Sequence, residues 1–199
     1  MAEDAATTTE LEHAEDEIVE APPPSLTAEE RERRDAALAQ VRMYGDPVLR
    51  TEARPVDRFD AALRDEVARM GSLMHDALGI GLAATQVGIP HRVLVYRVEH
   101  DSPISALVNP VIEWRSKDKE IADEGCLSLP GVLVEVERPV HVRVVAKDEH
   151  GEDLLVEASG LEARVIQHEM DHLDGVLILD RAPRDQRKEA MRSLRETLS

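Results

Sequence analysis

Two histidines four residues apart, with a carboxylate beside the first, are the residues of this chain best spaced for chemistry: Gln167-His168-Glu169-Met170-Asp171-His172. On a helix, residues four apart share a face, so His168 and His172 can point at one metal ion. Glu169, one step round, can reach a water beside that ion. The flanking sequence has the period such a helix needs. Leu161, Val165, Ile166, Met170 and Leu173 recur at roughly helical spacing, and Gly175 supplies a stop. The pattern reads as a metal-binding helix with a general base. The plainer alternative is an amphipathic helix with two surface histidines.

Two imidazoles do not complete a catalytic site, which generally has three protein ligands and one open position. A downstream glutamate, as in thermolysin-like proteases, would fall near Glu189 or Glu196 in a charged terminal helix. The metzincin continuation puts its third histidine at the position of Ile178, which cannot ligate. Cys126 remains. It lies in Asp123-Glu124-Gly125-Cys126-Leu127-Ser128-Leu129-Pro130-Gly131, a polar stretch with turn residues at both ends, where Pro130 limits strand pairing. A site of two histidines, one thiolate and a water is chemically sound. Cys126 as a nucleophile with a histidine base is a competing reading, and it leaves the histidine pair unexplained.

The composition limits the alternatives. The chain has 199 residues, 42% hydrophobic and only 2% aromatic, so the core must be built from Val, Leu, Ile and Ala. A formal net charge of −17 argues against binding nucleic acid through phosphate contacts. No apolar run approaches the ~20 residues of a membrane span, and no basic-then-apolar leader opens the chain. One cysteine excludes an internal disulfide, and a free thiolate fits the cytoplasm.

Residues 1–26 hold eight acidic residues, no Lys or Arg, and the run Pro22-Pro23-Pro24. They read as a disordered acidic tail ahead of one catalytic domain over 27–199. Thr27-Ala28-Glu29-Glu30 is a capping box for a helix to about Ala39. Val41-Arg42-Met43 is a short strand candidate, and Gly45-Asp46-Pro47 a turn. Asp60 caps a second helix through about Ala77. The small-residue segment Gly79-Ile80-Gly81-Leu82-Ala83-Ala84-Thr85-Gln86 lacks the third glycine of a dinucleotide fingerprint. It implies close approach of backbone to a strand or ligand. β-rich runs follow at 92–98, 106–114, 132–137, 141–147 and 153–157, with a hairpin turn at His150-Gly151. Pro183 and Asp185 start a last charged helix. Helices at the ends and strands between predict an α+β fold, with the histidine helix packed against antiparallel or mixed β-sheets.

Three of these segments together resemble one family, the peptide deformylases, whose motifs have the form GxGxAAxQ, EGCxS and QHExDHLxG. The chain shows Gly79 to Gln86, then Glu124-Gly125-Cys126-Leu127-Ser128, then Gln167 to Gly175, in that order. The resemblance covers roughly residues 40–190 and looks bacterial in type. It implies a fold built around the central helix. It also implies a hydrolase that removes formyl from the N-terminal formyl-methionine of new polypeptides and releases formate. Cys126, His168 and His172 would hold one divalent metal, iron(II) in the cell, with Zn, Ni or Co able to take its place. Glu169 would be the general base, and the Gln86 amide and the backbone N–H of Leu127 would be donors to the oxyanion. Gly81, Ile80, Leu161 and Val165 would line the methionine pocket, with the stem of Arg164 in its wall and its guanidinium reaching solvent or an acid. Asp171, Gln167 and Glu124 are expected to orient the ligands, Asp171 by accepting from a histidine N–H. The partners implied are formylated nascent peptides and the ribosome, with neither membrane nor nucleic acid. A peptidase cleaving internal bonds, or a non-catalytic metal-binding protein, accounts for fewer of these residues.

Overall fold

The structure is a computed structural model that describes residues 26–99 and 101–197. The expected acidic tail therefore lies outside the described residues, Leu26 apart. Helix α1 (Ala28–Leu38) starts at the capping box: the Thr27 N–H donates to Glu30 Oε2 at 2.7 Å, and Thr27 Oγ1 accepts from the Glu30 N–H. Asp60 caps α2 (Ala61–Asp76) by accepting from the N–H groups of Ala62 and Leu63. Seven strands follow among the described residues: β1 (Gly81–Ala83), β2 (Val93–Tyr96), β3 (Ser105–Arg115), β4 (Lys119–Cys126), β5 (Leu129–Pro139), β6 (His141–Lys147) and β7 (Asp153–Ser159). Helix α3 (Gly160–Leu173) carries both histidines and is followed by α4 (Ile178–Arg181) and α5 (Arg184–Thr197).

Two antiparallel sheets result. One has the order β1-β2-β3-β6-β7, and the other is a ribbon of β4 and β5. Strand β2 is buried on both faces, which is why its sequence is continuously apolar rather than alternating. Leu94 and Tyr96 pack with Ile166, Met170 and Leu173 of α3. Val93 and Val95 pack on the opposite side with Met70, Leu73 and Met74 of α2. A third cluster seats Val132, Val134 and Val136 of β5 against Leu177, Ile178, Ala190 and Leu194. Helix α3 thus lies between the main sheet and the ribbon, where residues from both can reach it.

Two sequence expectations are corrected. Val41-Arg42-Met43 is not a strand. Its N–H groups go to separate elements, Val41 to Leu38 O, and Arg42 to Gln86 O at 2.7 Å, while the next residue, Tyr44, donates to Ser128 O at 2.9 Å. The segment ties the Gln86 turn to the Ser128 turn instead of joining a ladder. Strand β4 was hidden in the polar stretch before Cys126. It is an exposed strand whose pairing is supplied by β5, so Lys119–Cys126 needs no apolar alternation of its own.

Candidate metal centre

Cys126, His168 and His172 converge. Their ligating atoms lie within 4.8 Å of one another, and Cys126 Sγ is 3.2 Å from His172 Nε2. The helix supplies the two imidazoles from successive turns, with ring centroids 5.0 Å apart. The ribbon supplies the sulfur through a bulge. Pairing jumps from Gly125↔Leu133 to Cys126↔Leu129, leaving Pro130 without a ladder partner where its missing N–H does no harm. Of the alternative third ligands, Ile178 is buried in the β5 cluster and Glu189 is exposed on α5.

Glu124 fixes the first histidine. Its Oε2 is 2.9 Å from His168 Nδ1, which leaves His168 Nε2 for the centre. Burial alone would raise the Glu124 carboxyl, but hydrogen bonds from Arg138 and His168 more than offset that and pull it down to about 2. Arg138 donates to both Glu124 oxygens at 2.6 and 2.8 Å, and its third bond goes to Asp171 Oδ2 at 2.9 Å. Asp171 therefore does not accept from a histidine. It holds Arg138 and Arg181, because its side chain leaves the helix on a different face from its neighbour His172. Gln167 donates to Pro139 O and Ala163 O, a packing role. Arg164 is only 8% exposed. Its guanidinium meets Glu124 Oε1, Val136 O and Glu120 O, so the expected option of reaching solvent is overturned in favour of the acid. Arg138 and Arg181 escaped sequence reasoning. Arg138 carried a usable signal, since it falls in the inward phase set by Val132, Val134 and Val136.

Glu169 sits beside the cluster, buried, with Oε2 lacking a hydrogen-bond partner among the described residues. Burial pushes its carboxyl up to about 7, with Glu124 adding to the shift and the charges of His168 and Arg138 opposing it. Gly81 makes room for it: a Cβ there would lie 2.9 Å from Glu169 Cδ. Gln86 is held by its own carbonyl, which accepts from the Ala83 N–H at 2.9 Å. Its amide nitrogen faces Cys126 Sγ at 3.6 Å and Ser128 Oγ at 3.2 Å. Thr85 Oγ1 donates to His172 O at 3.1 Å, tying the first motif to the third. A cavity of about 450 Å³ opens over this group, lined by Ile80, Gly81, Leu127, Leu161, Val165 and the metal-facing residues.

The donor set fits a divalent transition ion: one thiol and two imidazoles, three protein ligands with an open cavity side. Burial opposes a charge on His168, yet hydrogen bonds to Cys126 and Glu124 outweigh it and push its pKa up to about 10.

Comparison with known proteins agrees with the geometry. The family model described as polypeptide deformylase matches residues 38–188. The peptide deformylase of Acidothermus cellulolyticus is 49% identical over 162 residues, 80% of this chain and 87% of that protein. That of Parafrankia is 42% identical over 160 residues, with the same shares covered. Among solved structures, the Synechococcus elongatus peptide deformylase superimposes with a TM-score of 0.74 at 46% identity, covering 77% of this chain and 85% of that one. The Legionella pneumophila enzyme gives 0.75 at 35% identity, covering 79% and 93%. With the match running from α1 into α5 and through all three motifs, the chain belongs to the peptide deformylases, hydrolases that remove the N-formyl group from nascent polypeptides.

Proposed function

We propose that deformylation takes place at the Cys126–His168–His172 cluster, with Glu169 as its proton carrier. The observation that carries this reading is a buried carboxylate, Oε2 unpaired, standing beside three convergent metal-ligating atoms. A divalent ion bound there would supply Lewis acidity to water and to the formyl oxygen. Glu169 Oε2 takes a proton from the attacking water and returns it to the departing amine. The Gln86 amide, already oriented by Ala83, donates to the oxyanion that develops on the formyl group, together with the backbone N–H of Leu127. The methionine side chain lies among Ile80, Gly81, Leu161 and Val165. The buried Arg164–Glu124 pair keeps the pocket wall rigid.

The resident ion is iron(II), with zinc, nickel or cobalt accepted by the same thiolate–imidazole donors. The setting is the cytoplasm, where formylated chains leave the ribosome, which is a partner in this reading. Residues 27–199 form the catalytic unit, with the acidic segment 1–26 ahead of it. The described residues contain no helix long and apolar enough to cross a membrane.

The test is formate release from a formyl-methionyl peptide by anaerobically purified protein, with metal content measured on the same sample. Glu169→Gln should keep the ion and lower kcat by about two to four orders of magnitude. A variant that kept near-full turnover would remove Glu169 from the proton pathway. Full metal loading without formate release by the wild type would sink the assignment of the centre.

A further inference from the structure

Nine large apolar side chains are exposed among the described residues. Leu78, Ile80, Leu133 and Leu161 line the active-site cavity, and Ile121 stands on the ribbon. The other four, Val111, Trp114, Val145 and Leu155, share one face of the main sheet. It is the face turned away from α3. The alternate residues of the same strands, Val142, Val144, Leu154 and Val156, point inward and pack with Ile166 and Met170.

The four are contiguous. Val111 stands opposite Val145 across β3 and β6, and Val145 opposite Leu155 across β6 and β7. Trp114 stands opposite Arg143, the next outward residue of β6. Residues directly opposite one another in an antiparallel pair touch through their side chains. The row therefore crosses three strands without a break and ends on β7, the edge of the sheet. Single exposed apolar residues are ordinary, but a row of this kind marks an interaction surface.

The charges beside the row select its occupant. On β6 the outward residues flanking Val145 are Arg143 and Lys147, and on β7 those flanking Leu155 are Asp153 and Glu157. Arg143 Nη2 is 2.7 Å from Glu157 Oε1, and Lys147 Nζ is 2.7 Å from Asp153 Oδ1. One strand thus presents a basic face and its neighbour an acidic one, each with an apolar residue at its middle. A second copy, turned about a two-fold axis parallel to the strands above the β6–β7 boundary, lays its acidic strand on this basic one. Val145 of each copy then lies on Leu155 of the other, and Arg143 of each on Glu157 of the other. Val111 and Trp114 overhang the opposing edge strand and close the sides. Sheets packed face to face in near alignment have this geometry. The alternatives fail on charge. A two-fold axis across the strands sets basic on basic and acidic on acidic, and pairing β7 edge to edge sets acidic against acidic. The whole chain carries −17, yet the four outward charges flanking the row on β6 and β7 cancel, so self-repulsion is locally relieved here.

We propose that the outer face of β3, β6 and β7 is a self-association surface, on which a second copy of this chain packs about a two-fold axis parallel to the strands. The patch residues do not line the active-site cavity, which opens on the α3 side of the sheet, so both centres stay accessible in the pair. The inference is independent of the reading of the centre.

A face three strands wide is small for a protein interface, so half-association is expected at about 10 μM. Sedimentation equilibrium of the metal-loaded full chain, from about 1 μM to about 500 μM, should show the mass rise from one chain toward two. Trp114 is half-exposed and is the only tryptophan, so its emission should move to shorter wavelength over the same range. Leu155→Glu and Arg143→Glu should each weaken association by about tenfold or more, because each sets like charges together across the contact. Adding Glu157→Arg to Arg143→Glu should restore it, since the axis lays these two residues on one another. All three variants change solvent-facing residues, so Tm and kcat/KM per chain should stay near wild type. A single-chain mass at every concentration, or association that survives Leu155→Glu, would overturn the proposal. Failure of the charge swap to restore association would overturn the proposed axis. A monomeric chain whose Trp114 emission shifts on adding phosphatidylcholine vesicles would assign the face to a membrane instead.

Discussion

Gly81 leaves the space that the Glu169 carboxylate occupies. Sequence alone associates such a glycine with close backbone approach to a strand or a ligand, and the partner in the structure is the proposed base. Gly81→Ala should therefore act on the carboxylate's position more than on the fold. We expect kcat to fall by about a hundredfold, the size of effect that a displacement of about 1 Å produces at a reacting centre. Steady-state formate release and far-ultraviolet circular dichroism on one sample check this. Near-normal kcat in the alanine variant would mean that Glu169 has more freedom than the packing indicates. Gln86 makes a related point. Its type suggested a donor, but its usable direction comes from the Ala83 N–H that occupies its carbonyl.

The elements are joined behind the centre by buried charge. Arg138 on β5 bonds Glu124 on β4 and Asp171 on α3, and Arg181 of α4 closes the chain on Asp171. Arg138 is 5% exposed, so losing it strands two carboxylates away from water. Arg138→Met should lower unfolding free energy by about 3–5 kcal/mol, the usual consequence of breaking a buried pair by removing one partner. Urea unfolding measures it, and a loss under about 1 kcal/mol would show that Glu124 and Asp171 find other partners or water. At this scale the helices were legible, because their caps and apolar periods are local. The α2 cap at Asp60 and the α3 stop at Gly175 both stand where the residue types put them. Strand β4 was not legible. Its stability comes from backbone pairing with β5, and its own side chains are mostly exposed and charged.

Across the whole molecule, three apolar clusters hold the fold, and the metal centre lies where α3, the ribbon and the Gln86 turn meet. The ion therefore joins elements that already pack through other contacts. Chelation should leave the far-ultraviolet spectrum nearly unchanged and lower Tm. An ion present at a hundred times its dissociation constant stabilises by about 2.7 kcal/mol, which for a domain of this size is roughly 5–10 °C. Cys126→Ser should be largely insensitive to the same chelator. Loss of the helical signal on chelation would mean instead that the ion is needed to assemble the fold.

The residue types at Cys126, His168, Glu169 and His172 were enough to suggest the chemistry proposed above. A thiol, two imidazoles one helical turn apart and an adjacent carboxylate have few other joint uses, and helical spacing is a local property of the chain. Which residues support them was decided only by tertiary structure. Asp171 lies next to a ligand in sequence yet faces Arg138 and Arg181. Arg164, forty positions along the chain from Glu124, is buried against it. Side-chain direction and burial depend on what packs opposite, and here that partner is always another element.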